Sequence, residues 1–192
     1  MVTVHAYTVL FTGMNLFLRS AGSGVASAAW SAPPESVLKL NCGAAVSPSS
    51  NRSGLGFLVR DHQGNVLHYV ASGFRTAYSP LVAEALSVHC GIRLALEAGF
   101  FHLQIETDAQ VLVNTLNSRV VPLSEVGFVV EAILKLLKDN HLLMISFVPR
   151  LANGAADVLV KFGLSLDEEI IWIEDYPSCV NVLVKEDAPL AL

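Results

Sequence analysis

The sequence predicts an α/β fold: a mixed five-stranded sheet of three antiparallel strands, then strands linked by helices, with helices on both faces. Three observations carry this. Three strand-like runs crowd into residues 37–73, joined by short polar links, as in an antiparallel meander. Beyond residue 79 the apolar positions recur at three- and four-residue steps, the helical period. Strand-like and helical runs then alternate, which brings later strands in through crossovers.

The elements follow in order. "SAPPES" at 31–36 is Pro-rich punctuation and marks a boundary. "VLKLNCGAAV" is a first strand, "SPSSNRSG" a polar loop and "LGFLVRD" a second strand. "DHQGN" has the residues of a tight turn. "VLHYVASG" is a third strand. Over residues 80–99, Leu81, Ala85, Val88, Ile92 and Ala95 form one apolar stripe of a helix. Ser79 and Pro80 stand where an N-cap and first helical residue belong, and Gly99 ends the helix. "FHLQIETD" alternates as a fourth strand. A short helix over 109–118, a longer one over 122–140, a fifth strand over 142–149 and a last helix over 151–164 complete the pattern. "IIWIEDYP" then reads as a tail that packs back on the domain. The predicted organisation is a poorly ordered leader (1–34), one domain (35–164) and an acidic C-terminal extension (165–192).

Bulk properties exclude several classes. With 53% hydrophobic and 15% charged residues, the 192-residue chain is not a disordered protein. A net charge of -5 argues against an arginine-rich nucleic-acid binder. Ten acids and ten bases balance within residues 35–164, so the acidity is a C-terminal feature. Three widely spaced cysteines give neither a disulfide framework nor a zinc pattern. A reducing compartment follows, with nucleus or cytoplasm expected rather than secretion. "AYTVLFTGMNLFL" is too short and too interrupted to span a bilayer, and no Lys or Arg precedes it as in a secretory signal. No membrane partner is expected. The histidines are isolated, and "GLG" opens a strand rather than a phosphate loop because no helix follows.

Three acids fall at suggestive places. Glu84 lies in the first turns of the long helix beside its apolar stripe, Asp108 ends the fourth strand, and Asp157 sits inside the last helix, four after Asn153 and four before Lys161. Each has a plain structural alternative. Glu84 favours the helix dipole, Asp108 is an N-cap for the next helix, and Asp157 pairs with Lys161 on a solvated face. Spacing alone does not bring the three together.

The segments "WSAPPESVLKLNCGA", "LGFLVRDHQGNVL", "SPLVAEALSVHCGIRLALEAGF", "LQIETDAQVLVNTLN", "SFVPRLANGAADVLVKFG" and "IWIEDYP" occur in that order. Together they resemble the plant ribonuclease H-like domain, a type also found at the C-terminal end of non-LTR retroelement reverse transcriptases. The resemblance implies a ribonuclease H fold and an endoribonuclease that cuts the RNA strand of RNA–DNA hybrids, using four acids and two divalent cations, Mg2+ or Mn2+. It assigns catalytic and metal-binding roles to Glu84 of "AEAL", Asp108 of "ETD" and Asp157 of "AAD". The first acid of the family belongs to a "KLNVDGA"-like strand; laid on "KLNCGAA" its position falls on Gly43, so the first ligand is absent. Phe147 stands where the family commonly has His. Arg150 and Asn153 of "VPR-AN" are implied nucleic-acid contacts, and Asn41, which shares a strand face with Gly43, joins them as a candidate. The expected function is a ribonuclease H-like nucleic-acid-binding domain with weak or lost hybrid cleavage, needing Mg2+ or Mn2+ if active and no cofactor otherwise. A catalytically dead protein-interaction module is the alternative, its protein partners unknown.

Overall fold

The computed structural model describes residues 29–173 and 178–187. Most of the leader, part of "IWIEDYP" and the chain end lie outside the described residues. The strands are β1 (Leu38–Ser47), β2 (Arg52–Arg60), β3 (Val66–Phe74), β4 (Leu103–Thr107), β5 (Leu143–Phe147) and β6 (Glu169–Ile173). The helices are α1 (Pro80–Glu97), α2 (Gln110–Ser118), α3 (Glu125–Asp139), α4 (Gly154–Gly163) and α5 (Ser178–Asp187). The sheet order is β5-β4-β1-β2-β3-β6, with β1 parallel to β4 and antiparallel to β2.

The mixed α/β class holds, but the sheet has six strands rather than five. The sixth is the apolar run after α4, which pairs antiparallel with β3, Ala71 opposite Ile170. It covers a strand edge whose N–H and C=O groups would otherwise stay unpaired on that side. In sequence, so short a run beside acidic residues is indistinguishable from a packed tail.

Strand alternation divides the core into two layers. Leu40 and Cys42 of β1, Phe57 and Val59 of β2, and Ile105 of β4 pack with Val88 and Ile92 of α1 and Val130 and Ile133 of α3. On the opposite face Leu58, Tyr69 and Ala71 pack with Ala155, Ala156 and Leu159 of α4. That second approach is unusually close. A Cβ on Gly56 would lie 2.5 Å from the Val160 backbone nitrogen, so α4 rests directly on the β2 backbone and its height over the sheet is set by a residue with no side chain.

Local signals behave as their chemistry dictates, with two shifts. Asp61 closes the turn after β2, accepting from the N–H groups of Gln63 and Asn65, with Gly64 at φ 84°. Gly99, at φ 87°, follows the end of α1. Ser79 makes no side-chain cap; Pro80 opens α1, and the Ser79 carbonyl accepts from Ala83 N–H. The last helix opens as a tight turn over Arg150–Asn153 before α4 begins at Gly154.

Candidate active site

The site is built at one end of the central strands. β1 and β4 run parallel, with Cys42 beside Thr107 as their last paired rung. The next residues are Gly43 and Asp108, so the two chains deliver them side by side. α1 crosses β1 on one face and carries Glu84 to the backbone N–H of Ala44, which donates to its carboxylate. α4 crosses the other face and brings Asp157. Gly43, Ala44, Glu84, Asp108, Arg150, Asp157 and Val160 line one hollow of about 50 Å3. Tertiary structure thus gathers the three acids that spacing left apart.

Each acid is held differently. Asp157 faces two cations: Arg150 donates to Oδ1, and Lys161 Nζ lies 2.7 Å from Oδ2. Partial burial pushes its pKa up, but the bonds from Lys161 and Arg150 outweigh that and hold it below the usual carboxylate range. Asp108 does not cap α2, whose N-cap is Ala109; instead its Oδ1 accepts from Asn153 Nδ2 at 2.8 Å. The same amide donates to the Cys42 carbonyl at 2.8 Å, tying the start of α4 to β1 and β4. Glu84 is the least compensated. Its Oε2 is buried without a hydrogen-bond partner. Burial, with the Asp108 charge adding to it, pushes its carboxyl up to about 8 against the Ala44 N–H.

That shift sets a pH dependence. Between its free value of 4.5 and about 8, folded Glu84 holds a proton that the unfolded chain has released. The Glu84 contribution to stability is therefore full below pH 4.5 and is lost as pH rises to about 8. Glu84→Gln removes this slope. At pH 8 the variant should be more stable than wild type by an amount on the order of 3 kcal/mol, with the gap closing near pH 5. Urea melts at the two pH values measure it; parallel curves for the two proteins would contradict it.

The donor set does not form a ready divalent-cation cage. Both Asp157 oxygens face cations, Asp108 takes an amide N–H, and Gly43 brings no carboxylate. Among the described residues, no group of three or more His, Cys, Asp or Glu side chains is placed to hold a metal ion.

A family model described as reverse transcriptase-like matches residues 41–163. The chain belongs to the reverse transcriptase-like family. The matched span runs from the middle of β1 to the end of α4 and contains all the acids of the hollow. An Arabidopsis thaliana protein provisionally named a ribonuclease H protein is 25% identical over 158 residues, 82% of this chain. The chain spans 25% of that relative's length. Among solved structures, RNase H1 of Halobacterium salinarum aligns at TM-score 0.60 and 17% identity, covering 66% of this chain and 96% of its own. LC11-RNase H1 from compost, solved with an RNA/DNA hybrid, aligns at TM-score 0.60 and 16% identity, with coverages of 66% and 96%. These likenesses establish a ribonuclease H-like fold.

For this reverse transcriptase-like domain, the remaining candidates separate. Arg150 is exposed, at the mouth of the hollow. Asn153 is buried, its amide spent on Asp108 and Cys42, so it orders the site from within. Asn41 shares the Gly43 strand face as expected, but it does not face a ligand. It is fully buried, donating to Glu106 Oε2 at 3.0 Å and accepting from Arg60 at 2.8 Å. The reason is its neighbours: the rung below Gly43 and Asp108 is a buried polar layer that sequence reasoning missed. Lys39 Nζ lies 2.7 Å from Glu106 Oε1 and 2.5 Å from the Ser31 carbonyl. The Arg60 guanidinium lies 3.8 Å from the centre of the Trp30 ring. The available signal was polar residues at alternate positions, Lys39 and Asn41, of an otherwise apolar central strand.

Proposed function

We propose that this domain binds nucleic acid, RNA–DNA hybrid foremost, as a ribonuclease H-like module whose hydrolytic turnover is weak or absent. The observation that carries the reading is Gly43. It stands beside Asp108 at the rung where the family resemblance calls for a metal-bridging aspartate. Two-metal phosphoryl transfer needs carboxylates that clamp both ions, and three acids, one of them gripped by Arg150 and Lys161, supply a poor clamp. Hybrid recognition in this reading rests on the fold shared with a ribonuclease H solved on a hybrid and on the exposed Arg150 and Lys161 at the site. Should turnover be restored, Glu84, Asp108 and Asp157 with residue 43 are the groups that would hold Mg2+ or Mn2+.

Fluorescence anisotropy with a labelled RNA–DNA hybrid tests this. Binding is expected at low salt and should weaken as salt rises, because phosphate contacts release counterions. Arg150→Ala should lower affinity about tenfold at low salt and flatten the salt slope. No cleavage should appear in Mg2+ over the same incubation. Absence of low-salt binding, or efficient wild-type cleavage, would overturn the proposal.

A second reading, a protein-interaction module, is favoured by one feature. Leu123, just before α3, and Phe128, near its start, are 106% and 81% exposed and stand beside Val121 in an apolar hollow. Exposed apolar clusters of this kind mark contact surfaces. Failure to bind hybrid, together with self-association lost on Phe128→Asp, would shift the reading to it.

A further inference from the structure

α4 leaves part of its sheet face uncovered. Val180 of α5 is fully buried against that face, where it joins Leu58 and Tyr69, and Val184 packs beside them. Trp30 lies over Arg60 in the same region. Between these two covers the Arg60 guanidinium is almost completely enclosed, its side chain 1% exposed. One terminal nitrogen donates to Asn41 Oδ1 and the other to Asp187 Oδ2, each at 2.8 Å. Asp187 is the only carboxylate that Arg60 bonds among the described residues. Arg60 Nε and Trp30 Nε1 are both buried without hydrogen bonds, so the cleft keeps donors to spare even with Asp187 in place.

Among its described residues, α5 has one fully buried side chain, Val180. The helix has ten residues, too few for a helix to persist without tertiary support. Of its other described apolar side chains, Leu183 and Val184 are only partly covered, and Val182 points to solvent at 64% exposed. Breaking the Arg60–Asp187 pair also differs from breaking most buried pairs. Departure of α5 would open Arg60 to water, so its charge regains hydration instead of being stranded. Lys39 is covered instead by the segment before β1, where the Ser31 carbonyl accepts from it and the Trp30 ring centre lies 5.5 Å from its Nζ.

We propose that Arg60 and Trp30 form a carboxylate receptor filled in cis by Asp187, making α5 a strap that is latched by one ion pair and separable from the six-stranded core. The latch reaches the site through α4. Leu183 Cδ1 stands 3.9 Å from where a Cβ on Gly154 would lie, one residue after the Asn153 that anchors Asp108. Release of the strap uncovers this helix start.

Hydrogen–deuterium exchange on the full chain decides it, comparing wild type with Asp187→Ala, Asp187→Glu and Val180→Ala. Asp187→Ala should cut protection of residues 178–187 at least tenfold while β1 and β4 amides keep theirs, and Asp187→Glu should restore most of it. Val180→Ala should cost less protection than Asp187→Ala. Three results would overturn the proposal. They are retained α5 protection in Asp187→Ala, equal loss across β1 and β4, and a larger effect from Val180→Ala.

Discussion

Replacing Gly43 by aspartate is expected to raise Mg2+-dependent cleavage of an RNA–DNA hybrid by three orders of magnitude or more. The backbone has room for the change. A Cβ on Gly43 would meet Val160 Cγ2 at 3.4 Å, Asn153 Nδ2 at 3.5 Å and Ala156 Cβ at 3.9 Å, all ordinary contacts. The new carboxylate would enter the hollow already lined by Glu84, Asp108 and Asp157. A thousandfold gain corresponds to about 4 kcal/mol of transition-state stabilisation, a reasonable yield for a ligand that lets a site hold two cations. The incoming Mg2+ must also compete with Arg150 and Lys161 for Asp157, so the gain should need millimolar Mg2+. Adding Glu84→Ala in the same background should abolish it. If Gly43→Asp stays inert while folding and binding hybrid normally, the hollow has lost more than its first acid, and the grip of Arg150 and Lys161 on Asp157 becomes the next cause to test.

Glu106→Ala is expected to be the most destabilising single change in the polar layer, by about 3–5 kcal/mol. Glu106 accepts from both Lys39 and Asn41. Removing it leaves the Lys39 ammonium, 3% exposed, without a carboxylate in the interior. The Ser31 carbonyl alone does not balance that charge. For a domain of this size the loss corresponds to a fall in Tm of roughly 10 °C. The paired change Lys39→Met with Glu106→Leu should recover part of it, because two apolar groups need no compensation, while the buried Asn41 amide still loses its Glu106 acceptor. Thermal melts of the three proteins at pH 7 measure both effects. A fall below about 2 °C for Glu106→Ala would mean that water reaches Lys39 far more readily than its burial implies.

Much of the fold was legible because its signals are local. The 3.6-residue stripe of α1, the alternation of β4 and the turn chemistry at Asp61 and Gly64 each depend on a few adjacent residues. β6 was not legible, since a four-residue apolar run becomes a strand only when the β3 edge is beside it. The same limit applied to the site. Glu84, Asp108 and Asp157 could be singled out, and the resemblance gave them roles, but each also fitted a helix dipole, a cap or a surface pair. For Asp157 the pair with Lys161 is present as well, so the plain alternative and membership of the hollow are both true. Asn41 was misread because strand parity gives the face of a residue but not what covers that face.

What the sequence determined by itself was the order of elements, the α/β class and the glycine at the head of the hollow, because period, punctuation and the type of a residue are properties of the chain alone. Tertiary structure decided the rest. It set the convergence of three acids on Gly43, the cations that hold Asp157, the raised pKa of Glu84, the burial of Asn41 and the clasp of Asp187 on Arg60. Each of these joins residues far apart in the chain, and charge, desolvation and hydrogen bonding act through distances in space that no spacing along the sequence encodes.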